Sequence, residues 1–207
     1  MSFAILGMLL LQFSFIRKME YEIRALRNAL EPPSIAVYNE NDLYLGAQEA
    51  PIELVLFSDV ECSYCRSFYQ NTLPKLEENL IASKQLKFVY KQNPLSFHDF
   101  GQKAALVLEH AKNQGLWWET LDYLYQGEDL ETQLQGLDNF WRSKGISAPA
   151  LADILANKDY QKAVVQEMDL AKLLGINGTP AMIINNTVVE GYYSYEELLA
   201  VIANLRK

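Results

Sequence analysis

Blocks of apolar positions predict a strand, a helix and a second strand in the first half of the chain. The run at residues 52–57 is short and bounded by turn-forming residues, which is typical of a buried strand. A helical pattern follows from about Ser63 to Ala82, with a bend expected at Pro74 because proline lacks an amide donor. A second apolar run covers residues 86–90. A strand, helix and strand in this order predict two parallel, neighbouring strands.

The middle of the chain, from about residue 97 to 175, has a helical pattern almost throughout. Glycines that end helices divide it into segments, at positions Gly115, Gly145 and Gly175. The segment therefore predicts a helical subdomain inserted into an α/β unit. The segment contains three tryptophans at helix-face spacing, Trp117, Trp118 and Trp141. We expect them to lie mostly in the core.

The end of the chain returns to a strand pattern. Two short apolar runs flank Asn185 and Asn186, a pair that tolerates the positive φ values of a type I′ turn, which predicts a β-hairpin. Ser194 and Glu197 have the spacing of a capping box, so a last helix is expected over residues 195–205.

The first residues form an apolar run that ends in basic residues. Residues 2–16 carry no charge, and no small-residue cleavage site separates them from Arg17 and Lys18. This predicts a membrane-anchor helix at residues 1–18, with a signal peptide or a buried helix as alternatives. The positive-inside rule places the basic flank in the cytoplasm and conflicts with an external domain, unless the true start lies upstream of Met1.

A second helix is predicted after this run. Ile23, Leu26 and Leu30 recur at helical spacing, and the prolines at 32–33 end the pattern. We interpret residues 19–33 as a helical stalk; a helix docked on the domain is the alternative.

Composition narrows the class of protein. The chain has 207 residues, of which 50% are hydrophobic and 21% are charged, values that exclude a disordered chain. Lys and Arg number 18 against 26 for Asp and Glu, a net charge of -8 that argues against nucleic acid as a partner. Two cysteines cannot build a disulfide-rich scaffold.

Both cysteines lie in one tetrapeptide, Cys62 to Cys65, directly after the first predicted strand and at the start of a helix. A helix N-terminus stabilises a thiolate on Cys62, and Cys65 is then placed to attack a mixed disulfide formed there. A purely structural disulfide across so short a loop contributes only about 1.9 kcal/mol. Zinc needs about four ligands, and the two histidines, His98 and His110, lie far along the chain. We expect no cofactor or metal besides the redox-active cysteine pair.

Three stretches, taken together, resemble the DsbA-like thiol-disulfide oxidoreductases of the thioredoxin superfamily. They are residues 45–66, which include the cysteine pair, residues 94–117, and residues 175–198. The resemblance implies an α/β thioredoxin fold over residues 34–207, with a helical insertion at about 97–175. The membrane-anchor helix that the apolar run predicts precedes this domain.

The same resemblance implies roles for particular residues. Cys62 is the expected nucleophile and Cys65 the resolving thiol, with Ser63 and Tyr64 between them. Pro180 is expected to be cis and to face the pair. Thr179 before it is expected to present main-chain groups to an extended substrate segment.

The sequence departs from the family pattern at two positions. Ser63 stands where a proline is common, so the redox potential cannot be carried over, and Leu56 stands where many thioredoxin-fold enzymes hold a buried acid. Asp59 and Glu61 are nearer to the cysteines and are expected to be solvated loop carboxylates. We expect His98, like His110, to be structural, because no orienting acid is visible near it in the sequence.

The resemblance also indicates partners and location. It implies cysteine-containing substrate proteins and a membrane or soluble redox partner, with the domain anchored outside the cytoplasm in a bacterial cell envelope. The function expected first is a thiol oxidase that introduces disulfides into secreted or periplasmic proteins. A reductase or isomerase of the same fold is the alternative. A non-catalytic binding or chaperone module is a third, against which the intact cysteine pair argues.

Overall fold

The computed structural model describes residues 42–205 except residues 128 and 148, together with residues 19 and 37. The chain divides into two units, Met1–Val37 and Tyr38–Lys207, and the elements below belong to the second. The predicted anchor at residues 1–18, and the predicted stalk apart from Met19, lie outside the described residues. Within the described part of the chain, no helix is both long and apolar enough to cross a membrane.

A single mixed sheet organises the described residues, and the third strand along the chain lies between the first and the second, with the fourth and fifth beyond the second. Its strands are β1 (Tyr44–Leu45), β2 (Ile52–Ser58), β3 (Leu86–Gln92), β4 (Ala181–Ile184) and β5 (Thr187–Glu190). β2 and β3 pair in parallel, from Ile52 with Leu86 to Ser58 with Gln92, which confirms the predicted unit. β4 pairs antiparallel with β2, on the edge of β2 that faces away from β3. β2 is therefore central, and its carboxyl end delivers the chain to the cysteine pair.

The helical segment between β2 and β3 is irregular. Its parts are α1 (Ser63–Ser67), a π-helical turn (Phe68–Thr72), α2 (Leu73–Leu76) and a second π-helical turn (Glu77–Ile81). Pro74 lies in the first turn of α2, where an amide donor is not needed for the helix. π-helical turns thus stand on either side of the short helix that contains Pro74, and the bend expected there stays a prediction.

The helical insertion is confirmed between β3 and β4. Its helices are α3 (Asp99–Asn113), α4 (Trp117–Gln126), α5 (Leu130–Ser143), α6 (Leu151–Ala156) and α7 (Lys158–Leu173). The glycines predicted to end helices all have positive φ: 69° at Gly115, 79° at Gly145 and 76° at Gly175. Trp117 and Trp141 are buried in the common core, as their spacing indicated.

The hairpin and last helix follow the prediction, with one difference in the turn. α8 covers Tyr195–Leu205, and Ser194 and Glu197 exchange the two hydrogen bonds of a capping box. In the hairpin turn, Asn185 has a φ of 53° but Asn186 is not in the positive region, so the turn is not of type I′. Asn185 is held by Glu53 of β2, with which it exchanges main-chain and side-chain hydrogen bonds of 2.8 and 2.9 Å.

Candidate active site

Cys62 occupies the N-cap position of α1, immediately beyond the end of β2. Its φ of -71° and ψ of 123° are extended, and its carbonyl oxygen accepts the Arg66 amide at 3.0 Å, the first bond of the helix. Cys65 lies one turn further into the helix. Both cysteines are free thiols in this structure.

The Cys62 thiol is acidic. Its pKa is lowered from the ordinary value of 9.0 to about 5, chiefly because the Cys65 thiol donates a hydrogen bond to it. Burial opposes this effect, and the main-chain amides of Cys65 and Tyr64 add to it. The lowered pKa agrees with the sequence prediction. However, the largest cause is the partner thiol, with the amides of the helix N-terminus contributing less.

The Cys65 thiol is fully buried, with 0% exposure. Burial first, and then the neighbouring Cys62 thiolate, raise the pKa of Cys65 far above its ordinary range. The main-chain amide of Asp59 donates a hydrogen bond to its Sγ at 3.4 Å. The two sulfurs of the pair therefore differ strongly in acidity, with the outer one ionised and the inner one protonated at neutral pH.

Hydroxyl groups occupy the interior next to Cys65. Ser58 and Tyr90 each lie 3.2 Å from the Tyr125 hydroxyl oxygen, and a hydrogen bond involving Ser58 also lowers the pKa of Cys65. Leu56 on β2 is fully buried and supplies no polar atom. The interior beside this thiol therefore offers neutral hydroxyls from Ser58, Tyr90 and Tyr125.

The loop before β4 lies against the cysteine pair. The Thr179–Pro180 peptide bond is cis, the isomer expected from the sequence resemblance. The Cys62 thiol donates a hydrogen bond to the carbonyl oxygen of Thr179 at 3.3 Å. The hydroxyl oxygen of Thr179 is buried and has no hydrogen-bond partner in the structure. Four of the six residues singled out from the sequence thus meet at one place: Cys62, Cys65, Thr179 and Pro180.

A family model described as thioredoxin matches residues 38–204, which is most of the chain. The chain belongs to the thioredoxin family. The predicted mixed α/β thioredoxin fold with a helical insertion is thereby confirmed, and with it the family-level resemblance.

Curated relatives of this thioredoxin-family chain include two kinds of protein. The Na(+)/H(+) antiporter NhaA 3 of Salinispora tropica is 28% identical over 169 residues, covering 81% of this chain and 25% of the antiporter. The chain thus spans about a quarter of that protein. Disulfide bond formation protein D of Bacillus subtilis is 25% identical in an alignment of 162 positions that covers 74% of this chain and 72% of that protein.

A solved structure shows the same fold. Alpha-DsbA1 of Wolbachia pipientis superimposes with a TM-score of 0.68 at 23% sequence identity, covering 81% of this chain and 92% of that one. The thioredoxin fold with its helical insertion is therefore shared with a DsbA-type protein.

Asp59 and His98 form a pair that the sequence reasoning missed. Asp59 is 1% exposed, so the expectation of a solvated loop carboxylate was wrong for this residue. His98 Nδ1 lies 2.7 Å from Asp59 Oδ2, so an orienting acid is present after all. The two residues are 39 positions apart, and only the adjacency of the ends of β2 and β3 brings them together. The sequence offered one signal for this pair: β2 and β3 were predicted to be parallel neighbours, and the residues that follow such strands lie at the same edge of the sheet.

The two residues between the cysteines face outward. Ser63 and Tyr64 are exposed, and the Tyr64 side chain is 63% accessible. Phe97 is 73% exposed, and its ring packs edge-on against the His98 ring with centroids 4.5 Å apart. Two large aromatic side chains are therefore exposed here: Tyr64, which lies between the cysteines, and Phe97, which lies next to His98.

Proposed function

We propose that this protein is a DsbA-like thiol-disulfide oxidoreductase that introduces disulfides into other proteins. The observation that carries the proposal is the difference between the two thiols. Cys62 has a pKa near 5, whereas Cys65 is buried and has a raised pKa. Stabilising the Cys62 thiolate stabilises the reduced protein, and this makes the disulfide form the better oxidant.

The exchange proceeds in two steps. A substrate thiolate attacks Cys62 Sγ of the oxidised pair; a bond forms between those sulfurs, the Cys62–Cys65 bond breaks, and Cys65 leaves as a thiolate that takes up a proton. A second substrate thiolate then attacks the substrate sulfur of the mixed disulfide. The substrate disulfide forms, and Cys62 leaves as a thiolate. The substrate has lost two electrons and the cysteine pair has gained them. A membrane or soluble redox partner must then reoxidise the pair.

Substrates are proposed to be unfolded, cysteine-containing proteins. Tyr64 between the cysteines and Phe97 beside His98 have exposed aromatic rings, and such rings bind apolar segments. Ser63 and Tyr64 flank the attacked sulfur, and the Thr179–Pro180 segment lies against Cys62 with the Thr179 carbonyl directed at it. An extended substrate segment fits beside that segment as an added strand.

The location follows from the same chemistry. Disulfide formation requires an oxidising compartment, so we place the domain outside the cytoplasm of a bacterial cell, held to the membrane by residues 1–18 with residues 19–33 as a stalk. The similarity to disulfide bond formation protein D, whose name describes disulfide formation, supports the chemistry on which this placement rests.

Oxidation of a reduced, unfolded protein by the oxidised full-length chain tests the proposal. We expect stoichiometric formation of substrate disulfides, no exchange with Cys62→Ala, and accumulation of mixed disulfides with Cys65→Ala. A reduction potential near that of thioredoxin, about -270 mV, would instead indicate a reductase or isomerase. Protection of the substrate from aggregation without exchange would indicate a chaperone.

A further inference from the structure

Asp59 contacts both cysteines through its main chain. Its amide donates to Cys65 Sγ at 3.4 Å, and its carbonyl oxygen accepts the Cys62 amide at 3.1 Å. The amide of Asp59 is therefore a fixed donor beside the inner sulfur of the pair.

The carboxylate of Asp59 is held in place by three polar contacts. Oδ2 accepts the Leu95 amide at 2.8 Å and lies 2.7 Å from His98 Nδ1, while Oδ1 accepts the Glu61 amide at 2.9 Å. Every one of these partners belongs to the loop after β3 or to the short segment that leads into Cys62. The carboxylate thus joins the ends of β2 and β3, and His98 supplies the side-chain contact.

Gly101 of α3 lies directly against the Asp59 carboxylate. A Cβ at Gly101 would overlap the carboxylate of Asp59, so the absence of a side chain there lets α3 approach. The Gly101 amide donates to Glu61 Oε2 at 2.7 Å, which ties the start of α3 to the same segment. Glu61 is thus a partner of the helix rather than a free loop carboxylate.

We propose that His98 is a positioning residue that acts through Asp59, and that the pair holds the Asp59 amide against Cys65 as that sulfur leaves. The proposal rests on the exchange chemistry of the proposed function. His98 does not touch the reacting sulfurs; it fixes the carboxylate that fixes the amide.

The amide matters most during the first step of exchange. When a thiolate attacks Cys62, the bond between the two sulfurs breaks and Cys65 receives the electron pair in a buried place. A thiol that leaves as a more stable anion leaves faster, and a hydrogen bond to an anion is stronger than one to a neutral thiol. Because Cys65 is protonated again in the reduced protein, the amide speeds exchange in both directions and changes the equilibrium little.

The experiment measures the oxidised full-length protein with glutathione as the attacking thiol. The rate constant of the first step and the equilibrium constant with glutathione are measured for the wild type, Asp59→Ala, His98→Ala and His98→Asn. Asparagine keeps a donor close to the position of Nδ1. His110→Ala is the matched control, because that histidine lies in the insertion and contacts Tyr160 at 3.2 Å. Asn157→Ala, which removes the cap of α7, controls for lost stability.

We expect Asp59→Ala and His98→Ala to slow the first step about tenfold. The equilibrium constant should change less than twofold, and His98→Asn should recover the rate to within threefold. Wild-type rates in the two alanine variants would overturn the proposal. The proposal would also be overturned if Asn157→Ala slowed the first step as much as the two alanine variants do. A change in the equilibrium constant as large as the change in the rate constant would overturn it as well. If Asp59→Ala does not fold, the rate constants of the first step in His98→Ala and His98→Asn are sufficient to test the proposal.

The oxidase function and the positioning role of His98 can be tested separately. A wild-type protein that exchanges with glutathione but leaves reduced, unfolded proteins unoxidised contradicts the oxidase assignment and keeps the positioning test intact. A wild-type protein that does not exchange with glutathione overturns both.

Discussion

The thiol of Cys62 donates a hydrogen bond to the carbonyl oxygen of Thr179 at 3.3 Å, across 117 positions of sequence. When Cys62 ionises it can no longer donate, and this carbonyl becomes available to another donor. The Thr179 hydroxyl, which has no hydrogen-bond partner in the structure, can then donate to the thiolate. Ionisation of one sulfur thus rearranges hydrogen bonds on the segment that we propose binds substrate.

The acidity of Cys62 depends first on Cys65. We expect alkylation of Cys62 by iodoacetamide to follow an ionisation with a midpoint near pH 5, matching the lowered pKa of that thiol. In Cys65→Ala the midpoint should rise toward 9.0, because the largest cause of the lowered pKa is lost. Cys65→Ser keeps a hydroxyl donor and should lie between the two. A midpoint unchanged in Cys65→Ala would show that the helix N-terminus dominates.

The Thr179 side chain also lowers the pKa of Cys62. Thr179→Val keeps the shape and the carbonyl but removes the hydroxyl, so the alkylation midpoint should rise by less than in Cys65→Ala. Thr187→Val on exposed β5 is the matched control and should leave the midpoint unchanged. The measurement is the same pH series of alkylation rates, and equal midpoints for both variants would contradict the assigned role.

The reduction potential should depend on pH with a change of slope at about pH 5. Below the pKa of Cys62, reduction takes up two protons for two electrons, and the potential should fall by about 59 mV per pH unit. Above it, Cys62 stays ionised while burial keeps the pKa of Cys65 high, so one proton is taken up and the slope should be about 30 mV. Equilibration with glutathione over pH 4 to 8 checks this, and a constant slope would disprove the separation of the two thiols.

Phe97 is proposed to bind the apolar segments of substrates. Phe97→Ser should raise KM for an unfolded protein by about tenfold or more, since an exposed aromatic ring that becomes buried contributes about 1.5 kcal/mol or more. The rate with glutathione should not change, because glutathione is too small to need the ring. Leu173→Ser, which alters a side chain 68% exposed at the end of α7, is the control. Equal effects of both changes would place substrate binding elsewhere.

Glu167 gives the stability of the oxidised protein a distinct pH dependence. Burial raises the pKa of Glu167 to about 7, although Lys91 lies 3.3 Å away; Glu109 and Asp42 also raise it. Because the folded pKa lies above the ordinary value of 4.5, this group stabilises the protein fully below pH 4.5, and that contribution is lost as the pH rises through 7. Urea unfolding between pH 4.5 and 8 should show this fall, and Glu167→Gln should flatten it. Asp169→Asn changes an exposed carboxylate of the same helix and should leave the fall in stability unchanged. If Glu167→Gln shows a fall of the same size as the wild type, groups other than Glu167 cause the pH dependence.

The sequence determined the order of elements and the identity of the reactive thiols. Period and turn signals are local, so the capping box at Ser194 followed from residues close together in the chain. The parallel pairing of β2 with β3 followed from the order strand, helix, strand, because the rule for such units depends only on that order. The position of Cys62 after a buried strand also fixed its place at the start of a helix. These features need no knowledge of the rest of the fold.

Only the tertiary structure decided what surrounds those thiols. The Asp59–His98 pair, the hydroxyls beside Cys65 and the contact of Cys62 with Thr179 join residues 35 to 117 positions apart. The burial of Asp59 overturned its expected exposure for the same reason. A carboxylate looks solvated when judged from its sequence neighbours. Asp59 is buried because a distant part of the chain supplies two donors, the Leu95 amide and the His98 ring, to replace water.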